Sequence, residues 1–155
     1  MILVVMTLGC QTVCPDWSRL DGFYVVNSEV ESEASSGQNV DIFLEREFFL
    51  LGWSEWNVAY QPAQQELDID IEEQLYAAEL SAQNESCDDF TLTMGGIYLN
   101  NDGTERYDFT LTGELSISGP KWTGTATADV DWSLSDGTEG SVRGLNVSVV
   151  ATQPK

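Results

Sequence analysis

The feature that most constrains this chain is a two-residue alternation of apolar and polar side chains. In KWTGTATADVDWSLS, residues 121–135, Trp122, Ala126, Ala128, Val130, Trp132 and Leu134 share one parity, and Thr123, Thr125, Thr127, Asp129 and Asp131 share the other. TERYDFTLTGELSIS at 104–118 repeats the pattern with Tyr107, Phe109, Leu111, Leu115 and Ile117 on one face. ELDIDIEE at 66–73 sets Leu67, Ile69 and Ile71 against Asp68, Asp70 and Glu72, and SVRGLNVSVVAT closes the chain with Leu145, Val147, Val149 and Ala151 in step. Successive side chains of a strand point to opposite faces, so each segment is a strand with one buried and one solvated side. One-sided strands in series build an antiparallel sheet.

The punctuation between these runs agrees. Asn100-Asn101-Asp102-Gly103, Gly119-Pro120 and Asp136-Gly137 are turn sequences, rich in residues that tolerate positive φ or fix it. Further strands are predicted at 22–28 (GFYVVNS), at 56–60 and at 90–99 (FTLTMGGIYL), with a loop over 29–39. VDIFLEREFFLLGW, 40–53, reads as one long apolar strand with a bulge near residues 45–47. Residues 74–83 fit either a short helix or a continued strand. The resulting fold class is all-β: an antiparallel meander of eight or nine strands, closed or partly closed into a barrel, with a two-layer sandwich as the alternative. Leu20-Asp21-Gly22-Phe23-Tyr24 resembles, over three characters, the Gly-x-aromatic opening strand of calycin barrels.

Length and charge bound the rest. At 155 residues the chain suits one domain with a real core, placed at 22–155. Asp and Glu number 26 against six Lys and Arg, with no His, for a net charge of −20. That surface repels phosphate backbones, which argues against nucleic acid, and against broad docking on anionic lipid. Five Trp, five Tyr and six Phe supply far more apolar anchors than a disordered acidic tail carries.

The N-terminal residues stand apart. Residues 2–8 form an uncharged apolar run too short to span a bilayer but of the length of a secretory h-region. The sequence Thr7-Leu8-Gly9-Cys10 resembles the lipobox of bacterial lipoproteins. It departs from the pattern in placing Leu two rather than three positions before the cysteine, and no basic residue precedes the run. A start upstream of Met1 would supply the latter. The resemblance implies a signal peptide at 1–9, lipid on Cys10, an anchor and lead-in segment at 10–21, a cell-envelope location outside the cytoplasm, and the membrane as a partner through that lipid. Cys14 and Cys87 then remain as an even pair, which in an exported chain implies one disulfide. The other reading of the run is an ordinary first strand, and in a cytosolic chain the two cysteines would be unrelated thiols.

No catalytic constellation is evident. Without His there is no Ser-His or Cys-His pair and no imidazole metal site, and no strand-to-helix phosphate loop occurs. The expectation is therefore no enzyme and no catalytic residues, a carboxylate-pair hydrolase being the outlying option. No cofactor is expected; calcium is the ion that loops such as Asn100-Asn101-Asp102-Gly103-Thr104-Glu105 could take, with Asn100, Asp102 and Glu105 as oxygen ligands, although the same residues make a good hairpin turn. Trp122 and Trp132 fall on the apolar face and should fill the core. Trp53 and Trp56, near a turn, are the aromatics expected to be exposed for stacking on a ligand. The leading expectation is a lipid-anchored, non-catalytic β-domain that binds a small ligand, glycan or protein. The alternative is a secreted carbohydrate-binding sandwich with structural calcium.

Overall fold

The computed structural model describes Cys14, residues 16–32 and residues 36–155. The apolar run at 2–8 and Cys10 lie outside the described residues. Nine antiparallel strands form one sheet: β1 (Gly22–Ser32), β2 (Ser36–Gln38), β3 (Trp53–Gln61), β4 (Glu66–Ile71), β5 (Gln74–Ala82), β6 (Asp89–Leu99), β7 (Glu105–Ser118), β8 (Lys121–Leu134) and β9 (Glu139–Thr152). Strands β3 to β9 pair in sequence order, β1 pairs with β3, and β1 also pairs with β9 from Val25↔Thr152 to Ser32↔Asn146. That last pairing closes an eight-stranded barrel and rules out the sandwich. The short β2 lies outside the ring of eight, pairing further along β9 from Ser36↔Arg143 to Gln38↔Ser141.

The alternation read from the sequence carries through. Along β7, every odd residue from Glu105 to Leu115 is buried and every even one exposed. Leu67, Ile69 and Ile71 are buried on β4, as are Trp122, Ala126, Ala128, Val130 and Trp132 on β8. Of residues 74–83, all but the last are strand rather than helix, because pairing with β4 from Glu66↔Glu79 to Ile71↔Gln74 overrides the helix-forming Ala and Leu. The first strand runs four residues past the expected end, to Ser32, and the expected loop at 29–39 is strand at both margins.

The larger correction is at 40–53. Only Trp53 belongs to a strand; the rest is a one-turn helix, α1 (Val40–Phe43), followed by turns. Phe43, Phe48, Phe49 and Leu50 are buried together. Phe48 packs at ring distances of 5.0 Å from Tyr107 and 5.8 Å from both Tyr98 and Phe109, and Phe49 at 5.1 Å from Phe109. Apolar residues clustered without a two-residue period can be buried either inside a sheet wall or inside a barrel mouth, and here Phe43, Phe48, Phe49 and Leu50 take the latter place. Eight strands enclose just enough room for side chains, and this segment takes up that room at one end.

The two ends of the barrel are therefore different. One, called proximal, gathers the N-terminal arm, the β3–β4, β5–β6 and β7–β8 turns and the C-terminus. The distal end gathers the 39–52 plug and the β4–β5, β6–β7 and β8–β9 turns. At the proximal end Trp17 is buried against Phe90, centroids 5.6 Å apart, and Tyr24 Oη donates to Leu20 O at 3.0 Å. Cys14 and Cys87 form a disulfide with a Cα separation of 6.2 Å, a usual spacing for such bridges. Arg19 reinforces it by donating to the Cys87 carbonyl and pairing with Asp88 at 3.1 Å.

Candidate functional site

The distal rim collects the features with chemical potential. Trp53 begins β3 and is 62% exposed, whereas Trp56 is 3% exposed. Trp56 thus corrects the expectation of a second exposed ring: three residues apart in a strand means opposite faces, so only one of the two can point outward. The Trp56 indole donates to Ser54 Oγ at 2.9 Å, and its ring packs on Phe49 at 6.1 Å. Trp53 instead borders an open cleft of about 320 Å³ shared with Arg46, Glu47, Leu51, Glu72 and Asn101. An aromatic face beside carboxylates, an amide and a guanidinium can stack on a neutral ring while hydrogen-bonding its substituents.

At this end of the barrel two tyrosine–carboxylate contacts brace the mouth. Tyr98 Oη donates to Glu72 Oε2 at 2.5 Å, and Tyr107 Oη donates to Glu105 Oε1 at 3.1 Å. Burial, reinforced by the neighbouring carboxylate charge, raises the phenol pKa of both residues, and Tyr76 is pushed up to about 12 by burial and then by the charge of Glu72. These phenols are held neutral as donors. Sequence reading missed them because strand parity marks inward tyrosines only as core.

The proposed calcium ligands are brought together, but toward one another. Asn100 Oδ1 accepts from the Glu105 N–H at 3.0 Å, and Asn100 Nδ2 donates to Glu105 Oε2 at 2.7 Å. Asp102 Oδ1 accepts from the Thr104 N–H at 3.0 Å and from its hydroxyl at 2.6 Å, bonds that lower the Asp102 pKa. The loop is a self-bonded hairpin turn whose Asn100–Glu105 pairing a cation would have to break. No group of three or more His, Cys, Asp or Glu side chains is placed to hold a metal ion among the described residues. No helix among the described residues is long and apolar enough to cross a membrane.

The predicted disulfide partners meet at the opposite, proximal end, and Cys10 lies outside the described residues. No protein-family model, curated protein or solved structure matches this chain.

Proposed function

We propose that this protein is a lipid-anchored, extracytoplasmic β-barrel of a bacterial envelope, non-catalytic, that binds a ligand or partner at its distal rim. The carrying observation is the disulfide that fastens Cys14, four residues after Cys10, to the proximal end of the barrel. An anchor at Cys10 would hold that end toward the membrane and turn the rim away from it. The filled interior supports surface binding over capture in a central cavity, since Phe43, Phe48 and Phe49 occupy the mouth. A −20 surface favours neutral or basic partners and keeps the body off anionic lipid. Expression in an export-competent bacterium with a salt wash of the membranes tests the anchor. The parent chain should stay with the membranes and Cys10→Ser should be released; equal partitioning of the two would overturn the reading.

Carbohydrate binding is the second reading, favoured by Trp53 beside Glu72 and Asn101 in the distal cleft. A glycan panel read by tryptophan fluorescence should give a response that Trp53→Phe abolishes. A response retained by Trp53→Phe, or none at all, counts against it.

A further inference from the structure

The barrel wall has a seam. The β5–β6 ladder runs from Ala82↔Phe90 to Ala78↔Met94 and stops, although both strands continue to the distal end. Beyond it side chains bridge the strands: Tyr76 Oη donates to Ile97 O at 2.9 Å, Gln74 Nε2 donates to Leu99 O at 2.9 Å, and the Leu99 N–H donates to Gln74 Oε1 at 2.8 Å. Gly96 makes room for this, since a Cβ there would come 2.9 Å from the Tyr76 ring. A stretch held by side chains rather than by a continuous ladder is the part of the wall best able to adjust.

Over the seam the outer face is apolar. Leu75 is 68% exposed, and Ile97 and Leu99 are each 42% exposed. Elsewhere on these strands the outward positions are mostly Thr, Glu, Asp or Ser. The registers set charges beside the patch: Leu75 pairs with Asp70 of β4, Ile97 with Asp108 of β7, and Leu99 with Arg106. Three outward apolar residues flanked by two carboxylates, with one guanidinium at the Leu99 end, match a surface carrying apolar groups and cations placed toward Leu75 and Ile97. A second copy of this chain, at −20, is repelled, as is an anionic membrane.

We propose that the outer face of the β5–β6 seam docks a basic polypeptide, with its apolar side chains on Leu75, Ile97 and Leu99 and its cations beside Asp70 and Asp108. This rests on reading the chain as a binding domain and is independent of the lipid anchor. The test uses two labelled peptides of equal length and charge, one alternating Lys with Leu and one alternating Lys with Ser, titrated into the full chain and read by fluorescence anisotropy. The Lys–Leu peptide should bind at least about tenfold tighter. Leu75→Ser with Ile97→Ser should remove that preference while leaving the melting temperature nearly unchanged, as both side chains already face water. Leu99→Ser serves as a second, single-site check, and Asp70→Asn with Asp108→Asn should weaken both peptides. Trp53→Ala should leave the preference intact. Equal binding of the two peptides, a preference that survives the seam substitutions, or one that Trp53→Ala removes would each overturn the proposal. A Trp53-dependent glycan response in a chain failing this test would leave distal-rim binding standing and remove only the seam.

Discussion

Tyr76, Tyr98 and Tyr107 bind their protons more tightly in the folded chain than a free phenol does, through burial and then the nearby Glu72 or Glu105 carboxylates. A group that holds its proton more tightly when folded contributes stability that is whole below the unfolded pKa and is lost as pH rises toward the folded one. Stability should therefore fall steadily above about pH 10, the ordinary tyrosine value. Thermal melts across the alkaline range check this, and Tyr76→Phe should make the decline shallower. A flat melting temperature through that range would contradict it. Tyr107 was legible as a core residue from its place in the alternation of 104–118, whereas Tyr76 fell in the segment that fits either a helix or a strand. Parity also separates Trp53 from Trp56, and judging both by closeness to a turn obscured that.

The 40–52 segment is the element that gives the barrel its closed distal mouth, and no ladder holds it. Its attachment rests on Phe43, Phe48, Phe49 and Leu50 among the wall aromatics. Phe48→Ala should destabilise the protein by about 3–5 kcal/mol, the usual range for a buried Phe left as a cavity, measured by urea unfolding. A loss under about 1 kcal/mol would mean that the segment is not packed as described. The β6–β7 turn makes the opposite kind of statement: with Asn100, Asp102 and Glu105 satisfied internally, removing calcium with a chelator should leave the melting temperature unchanged. A rise with millimolar calcium would show the loop reopening around a cation. Elements with strict alternation were read nearly to their ends. Residues 40–52 were not, because eight apolar residues grouped around Glu45, Arg46 and Glu47 carry no period that separates a buried strand from a plug.

At the scale of the molecule, eight strands close on themselves through the β1–β9 pairing, with β2 outside the ring, and one covalent bridge ties the ring to its N-terminal arm. The bridge closes a sequence span of 73 residues, worth roughly 4 kcal/mol in the chain-entropy view. Reduction should lower stability by about that amount, seen as a shifted urea midpoint with dithiothreitol, and leave peptide binding at the distant seam unchanged. An equal midpoint in both states would show that the bridge adds nothing to the fold. Closure itself lay at the limit of the sequence: alternation announces antiparallel strands, but whether β1 meets β9 depends on twist and stagger that no single segment encodes. The outward apolar residues Leu75, Ile97 and Leu99 are less legible still, since an apolar residue in a strand declares its face only once the register of its neighbours is known. The central claim is that the arm ending in this bridge begins at a lipid-bearing cysteine. Intact mass of the protein recovered from an export-competent bacterium tests it most directly. A mature chain that begins at Cys10 and carries added acyl mass is the predicted result, and a chain retaining Met1 without lipid would contradict it.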